Sequence, residues 1–357
     1  MIIHFFFIFG IILSMKTIKV GINGFGRIGR AFLKIAWERP EIEVVAVNDL
    51  SSVDNMAYLL KYDTAYGKWK YNDIKHEREY LIIDGKKVKV FAEKDPSLLP
   101  WKNLDVDVVV ESTGIFVTYA SAKVHLDAGA KKVVVTAPMK DEPSADIEGA
   151  TVLMGVNEEK FDTCIITSNA SCTTNAGSPL IAILDEGLGI EKALLNTVHA
   201  LTNSQPTVDS INKHNMREGR AGGHNIVPTS SGAAIAVTKA FPKLSGLFDG
   251  IAMRVPMITG SIADITFVSK KNTTVEEVNN ILKKAASESR WRGIFSVTEE
   301  ELVSSDIIGS PYGAIADLNL TRVIGGNLVK VLAWYDNEMG YTHTLVNHVI
   351  KAGNTIK

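Results

Sequence analysis

The stretch Thr17-Ile18-Lys19-Val20-Gly21-Ile22-Asn23-Gly24-Phe25-Gly26-Arg27-Ile28-Gly29-Arg30-Ala31-Phe32-Leu33-Lys34-Ile35-Ala36-Trp37 reads as a short apolar strand, a turn and a helix. Gly24, Gly26 and Gly29 form a G-x-G-x-x-G in the strand–turn–helix setting that a dinucleotide-binding fingerprint requires. In such a loop Gly24 permits the tight turn, Gly26 lets the backbone approach a pyrophosphate, and Gly29 allows close helix–strand packing. Unpaired N–H groups at the helix N-terminus then hold the phosphates. A second strand, Glu43-Val44-Val45-Ala46-Val47-Asn48, ends at Asp49, 20 positions after Gly29. An acidic residue there suits the ribose 2′-hydroxyl of NAD and repels the 2′-phosphate of NADP.

The alternation continues downstream. Residues 88–91, 106–111 and 132–136 read as strands and residues 121–130 as a helix ending near Gly129. Val-rich runs between helices predict a parallel sheet buried on both faces. Ser112-Thr113-Gly114 and Thr136-Ala137-Pro138 fall at strand ends, the carboxyl edge where open α/β sheets bind ligands. Longer strands follow residue 172, at 262–268 and 328–334, with a helix over 274–288; these predict a separate α+β domain with a mixed or antiparallel sheet. Residues 342–351 read as a helix that packs back on the nucleotide domain.

Two cysteines occur in the chain. Cys164 lies in the apolar run Cys164-Ile165-Ile166 and reads as a small buried hydrophobe in a strand. Cys172 is different, because Ser168-Asn169-Ala170-Ser171-Cys172-Thr173-Thr174-Asn175 surrounds it with small polar residues ahead of a helical segment. A thiol at a helix N-terminus gains anionic character from free N–H groups and the helix dipole. His199 ends the strand-like segment 193–198 and is a candidate base, although partners of this kind meet only in the fold.

A chain of 357 residues accommodates two domains with substantial cores. A net charge of −2 with no basic stripe implies no nucleic-acid partner. Two cysteines explained locally indicate a reducing compartment, and no Cys/His cluster has metal-ligand spacing. Residues 2–13 are almost wholly apolar, too short to cross a bilayer and without the basic flank and cleavage site of a secretory signal. Residues 1–14 read as an upstream mis-called start ahead of Met15, or else as a short apolar appendage.

Taken in order, Asn23-Gly24-Phe25-Gly26-Arg27-Ile28-Gly29-Arg30, Ser171-Cys172-Thr173-Thr174-Asn175, Thr197-Val198-His199, Gly232-Ala233-Ala234, Arg254-Val255-Pro256 and Trp334-Tyr335-Asp336-Asn337-Glu338 resemble the glyceraldehyde-3-phosphate dehydrogenase family over essentially all of residues 15–357. The resemblance implies an NAD-binding Rossmann domain at 15–171, onto which a C-terminal helix within 338–357 returns, and a catalytic domain at 172–337. It implies a cytoplasmic homotetramer acting on glyceraldehyde 3-phosphate and inorganic phosphate, with Cys172 as nucleophile and His199 as base. Cofactor contacts are implied at Gly24, Gly26, Arg27, Ile28, Gly29, Asp49, Ser112, Thr113, Gly114, Thr136, Asn337 and Tyr341. Thr202 and Arg254 are implied for the substrate phosphate, and Ser171, Thr173, Ser231 and Gly232 for the attacking phosphate, with Arg254 near both. Arg217 and Arg220 are further phosphate candidates between which the sequence does not choose.

The chain departs from the family pattern at three places. Ser231 stands where threonine is usual, and Ala176 replaces a second cysteine. In Gln205-Pro206-Thr207-Val208-Asp209-Ser210-Ile211, a loop that reaches a neighbour's cofactor in the family tetramer, Ser210-Ile211 replaces the usual Leu-Pro, which leaves NADP open as a second cofactor. Two rival readings share the motifs: an erythrose-4-phosphate dehydrogenase that hydrolyses its acyl-enzyme, and a non-enzymatic nucleotide-binding scaffold.

Overall fold

The computed structural model describes residues 17–356 apart from residues 72 and 214, so the apolar segment at 1–14 lies outside the described residues. The strand Ile18–Asn23 enters the middle of a nine-stranded sheet, flanked in parallel by Ile42–Asn48 and Val108–Glu111. Lys86–Phe91 continues the parallel pairing on one side, and Lys132–Val135, Ile166–Ser168 and Gly149–Thr151 continue it on the other. Val108, Val109 and Val110 are all buried, which is why their run carries no polar alternation. The far edge is a finding that the sequence pattern concealed: Ile74–Glu77 and Tyr80–Ile83 add an antiparallel hairpin. One face of that hairpin is solvated, so its residues resemble loop and charge more than core.

Three local expectations change. The helix expected at 121–130 is two single turns, Tyr119–Ala122 and Val124–Asp127. A capping box between Thr118 and Ser121 starts the first turn early, and a three-residue hydrogen bond from Leu126 N–H to Lys123 tightens the second. Cys164 precedes the strand Ile166–Ser168 instead of lying in it; its N–H bonds Lys160 across a turn, and the thiol is buried and free. The strand expected at 106–111 begins at Val108, because Val106 N–H turns back to Trp101.

The second sheet has eight strands and mixed direction. At its heart Ile190–His199 runs parallel to Phe248–Arg254 and antiparallel to Ser261–Ser269, which in turn pairs antiparallel with Leu328–Tyr335. The helices Cys172–Leu188, Ala233–Ala240 and Val275–Ser287 cover one face. The opposite face leaves Leu194, Ile251 and Leu328 exposed. The closing helix Met339–Asn354 packs against Arg27–Ala36, against the first sheet and against the cysteine helix Cys172–Leu188. This places the start of the cysteine helix where both sheets and the chain's last helix meet. No helix among the described residues is long and apolar enough to cross a membrane.

Candidate active site

Gly26 is the N-cap of the helix Arg27–Ala36. Gly24 adopts a φ of +93°, and a Cβ built on it would lie 2.6 Å from the N of Thr113. A Cβ on Gly29 would collide with the carbonyl oxygen of Gly24, whereas one on Gly26 meets nothing within 4 Å. Gly24 and Gly29 are therefore required by the protein's own packing, and Gly26 leaves an open cradle at a helix N-terminus, where a pyrophosphate fits. A two-way split follows. Gly29→Ala should lower stability by about 1–3 kcal/mol through forced movement of loop or helix. Gly26→Ala should keep the melting temperature and weaken NAD binding; thermal unfolding paired with an NAD titration separates the two.

Asp49 closes the loop, its Oδ2 accepting from Phe25 N–H at 2.7 Å and its Oδ1 from Ser51 N–H at 2.9 Å. Both oxygens keep a free lone pair, and the side chain is half-buried, as a ribose partner needs. Ser112 Oγ donates to the Gly24 carbonyl at 2.7 Å, and Thr113 N–H donates to Glu111 at 2.8 Å. Gly114 turns outward with a φ of +73°. The Arg27 guanidinium is committed to two carboxylates, Glu338 and Asp63, which hold it firmly charged. Arg27 therefore offers a cofactor its backbone N–H and not its side chain.

Cys172 begins its helix behind the N-cap Ser171, whose Oγ accepts from Thr174 N–H at 3.1 Å. Ahead of it Ala170 is forced to a φ of +54°, a left-handed conformation that costs a non-glycine residue about 1–3 kcal/mol and persists only where surroundings impose it. The Cys172 Sγ lies 3.3 Å from His199 Nε2. His199 Nδ1 lies 2.7 Å from the carbonyl oxygen of Ala200, which only accepts, so Nδ1 carries the proton and Nε2 presents a bare lone pair to the thiol. Burial, reinforced by the charge of Arg254, holds the His199 pKa down to about 3. Burial likewise pushes the Cys172 thiol above its ordinary value, outweighing the pull of Arg254, Thr173 and the local N–H groups. Burial at this site thus opposes the anionic thiol expected from the helix N-terminus, and the helix N–H groups and Arg254 work against that burial.

Register supplies the third member. His199 pairs directly with Arg254 across the parallel strands. The Nε and Nη1 of Arg254 are buried without a hydrogen-bond partner. A guanidinium with unspent buried donors is suited to an anion.

Cys172 and His199 wall a cleft of about 510 Å³ that also presents Arg27, Ile28, Thr136, Ser171, Thr202, Asn337 and Tyr341, with Arg254 behind His199 on the neighbouring strand. The Asn337 carbonyl is fixed by Gly260 N–H at 3.1 Å and Ser261 Oγ at 3.0 Å, which leaves its amide donors for the cleft. Tyr341 donates to the Ala170 carbonyl at 3.1 Å. Thr202 Oγ bonds Ser204 and Gln205. Gly232, the N-cap of Ala233–Ala240, opens on a neighbouring cavity that shares Ala137 and Pro138 with the cleft; Ser231 Oγ accepts from Ala233 N–H beside it.

Three expected phosphate contacts are placed differently. Thr173 is buried, and its hydroxyl bonds Tyr335 at 2.9 Å, so only its N–H faces the helix start. Arg220 is exposed and pairs with Asp209 at 2.9 Å, and Arg217 is exposed and lines neither cavity. Sequence reasoning assigned no role to Tyr335, which links Thr173 to Thr197 (2.7 Å) and sets its ring edge-on to His199. In an alternating strand it looks like any core tyrosine. Among the described residues no group of three side chains could hold a metal ion.

A Rossmann-type sheet joined to a mixed sheet that presents a cysteine–histidine pair is the architecture of an NAD-dependent oxidoreductase. Residues 18–119 match the family description "Glyceraldehyde 3-phosphate dehydrogenase, NAD binding domain" and residues 171–337 match "Glyceraldehyde 3-phosphate dehydrogenase, C-terminal domain". The glyceraldehyde-3-phosphate dehydrogenase of Streptomyces coelicolor is 47% identical over 343 residues, covering 95% of this chain and 100% of the relative. That of Eremothecium gossypii is 46% identical over 333 residues, 93% of this chain and 98% of the relative, and glyceraldehyde-3-phosphate dehydrogenase 3 of Saccharomyces cerevisiae is 43% identical over 340 residues, 94% and 100%. The chain belongs to the glyceraldehyde-3-phosphate dehydrogenase family.

Proposed function

We propose that this chain oxidises glyceraldehyde 3-phosphate to 1,3-bisphosphoglycerate with NAD and inorganic phosphate, through a thioester on Cys172. The observation that carries this reading is the Cys172 Sγ 3.3 Å from an unprotonated His199 Nε2, beside an arginine with unspent donors. His199 takes the thiol proton as sulfur bonds the aldehyde carbon, and returns it to the alkoxide to give a hemithioacetal. The N–H of Cys172 at the helix start steadies the oxygen. NAD bound in the cradle supplies the hydride acceptor. As the carbon is oxidised, His199 takes the hydroxyl proton and leaves the thioester. Phosphate oxygen then attacks the acyl carbon, the carbon–sulfur bond breaks, and His199 reprotonates the departing sulfur. Splitting the reaction this way replaces one difficult step by two easier ones.

Arg254 binds the phosphate groups, with Thr202 at the substrate's and Ser171, Ser231, Gly232 and the Thr173 N–H at the attacking one. The amide of Asn337 would hold the nicotinamide carboxamide, and Tyr341 lines the same cleft. Gly24, Gly26, Gly29 and the N–H groups of Arg27 and Ile28 carry the pyrophosphate; Asp49 takes the ribose; Ser112, Thr113, Gly114 and Thr136 line the carboxyl edge. The domains divide at 15–171 and 172–337, with the closing helix on the first. Asp49 favours NAD, and the polar Ser210 beside the almost fully exposed Ile211 leaves NADP open as a second cofactor. The open apolar face of the second sheet is suited to a homotetramer, and the free cysteines to the cytoplasm.

NADH formation by protein started at Met15 tests this. With glyceraldehyde 3-phosphate and NAD, turnover should require inorganic phosphate, and NADP in place of NAD should support a lower kcat/KM. Turnover indifferent to phosphate, with erythrose 4-phosphate preferred, overturns the reading in favour of a hydrolysing relative.

A further inference from the structure

The mechanism uses one buried imidazole and leaves another without a task. His348, in the closing helix Met339–Asn354, is wholly buried and packs edge-on against Phe161 with ring centroids 4.7 Å apart. Its Nε2 lies 2.7 Å from Thr167 Oγ1 and its Nδ1 lies 3.2 Å from Asn169 Oδ1. The amide oxygen only accepts, so Nδ1 carries the proton, and Thr167 therefore donates to Nε2. A neutral ring with both nitrogens satisfied is the stable form here, and burial, with Lys132 adding to it, holds the pKa down to about 3.

Both partners of His348 belong to the approach to the nucleophile. Thr167 lies in the strand Ile166–Ser168, and Asn169 immediately precedes Ala170. Asn169 is held at every polar group. Its side-chain oxygen takes His348, its Nδ2 reaches Thr344 Oγ1 at 3.4 Å, its carbonyl accepts from Asn175 Nδ2 at 2.7 Å, and its N–H bonds Val135. Ala170 is held on both sides as well, its N–H by Ser168 Oγ at 2.9 Å and its carbonyl by Tyr341. The left-handed φ at Ala170 persists because these bonds over-determine it. Two residues later the chain delivers Cys172 to His199.

We propose that His348 is a positioning residue for the nucleophile: through Thr167 and Asn169 it fixes the left-handed turn at Ala170 that aims the Cys172 thiol at His199. It touches neither substrate nor cofactor. An aliphatic side chain of similar bulk fills the same space but leaves Thr167 Oγ1 and Asn169 Oδ1 without partners in a dry interior. The turn then relaxes, and the sulfur drifts from the base.

The proposal rests on Cys172 being the nucleophile, so the test reads the thiol itself as well as turnover. Full-length wild type, His348→Leu, His348→Gln and Thr167→Val are alkylated with iodoacetamide from pH 6 to pH 10. Peptide mapping separates Cys172 from Cys164, and kcat and the NAD dissociation constant are measured on the same preparations.

His348→Leu should slow Cys172 alkylation at pH 7 by about tenfold, equivalent to moving the profile up by about one pH unit. It should lower kcat by roughly 10–100-fold, the scale of a misplacement near 1 Å, with NAD affinity within about twofold of wild type. His348→Gln, whose amide can donate and accept, should restore most of both. Thr167→Val, which removes only the hydroxyl, should fall between. A folded His348→Leu with the wild-type alkylation profile overturns the proposal, as does a His348→Gln no better than His348→Leu, which would reduce the role to packing against Phe161. If His348→Leu does not fold, a wild-type alkylation profile in Thr167→Val overturns it equally. Loss of turnover in every protein, wild type included, with an intact shift in alkylation, counts against the dehydrogenase reading and not against the positioning role.

Discussion

Cys172→Ala should abolish NADH formation while leaving NAD binding within about twofold of wild type, with a loss on the order of 10⁵–10⁶-fold, the scale reached when a covalent nucleophile is removed. The expectation is this large because every step routes through sulfur: the carbon–sulfur bond captures the aldehyde, and the same sulfur carries the acyl group to phosphate. NAD binding is spared because the cradle at Gly26 and the closure at Asp49 lie on the first sheet, and neither touches the thiol. Measured together, an NADH assay and a fluorescence titration with NAD decide the matter. Turnover above about a thousandth of wild type would show that the acyl group is never held on sulfur.

His199→Asn should reduce kcat by about 10²–10⁴-fold, the usual value of a positioned general base. The pH dependence carries the diagnosis. His199 has its pKa depressed from 6.5 to about 3, so it remains an unprotonated acceptor across the working range, and wild-type activity should show no acid limb near 6.5 arising from this ring. The Cys172 thiol is raised, so without His199 it must surrender its proton to solvent. The deficit of the variant should therefore shrink as the pH rises toward and beyond the ordinary thiol range. A deficit constant from pH 7 to pH 10 would mean that His199 serves geometry and not proton transfer.

The parts of this molecule legible in the sequence are those whose chemistry is local. Gly24, Gly26 and Gly29 announce a turn, and the structure gives each a distinct reason: Gly24 and Gly29 have no room for a Cβ, and Gly26 has room that a ligand needs. Cys172 was legible because a helix start has its own composition, with Ser171 as the cap. Illegible were the properties that depend on what arrives from elsewhere. The protonation of the Cys172–His199 pair follows from burial and from Arg254, which the strand register brings alongside. Arg27 commits its guanidinium to Glu338, 311 positions away, a partner that its own motif does not announce. Thr173 sits beside Cys172 in the same motif, yet its hydroxyl faces Tyr335, a core residue that no alternation pattern distinguishes. The hairpin at 74–83 escaped for a related reason, since half of its side chains are solvated and its strands are only four residues each.

The closing helix has a consequence for how the enzyme comes into being. Translation supplies Cys172 near the middle of the chain but supplies Tyr341, which holds the Ala170 carbonyl, and Thr344, which donates to Asn175, among the final residues. Throughout synthesis the thiol exists without the restraints that aim it. Its orientation is thus tied to completion of the polypeptide: a nascent or prematurely ended chain lacks the bonds from Tyr341 and Thr344 that brace the turn ahead of Cys172, and the alignment with His199 is complete only when the last helix leaves the ribosome and docks.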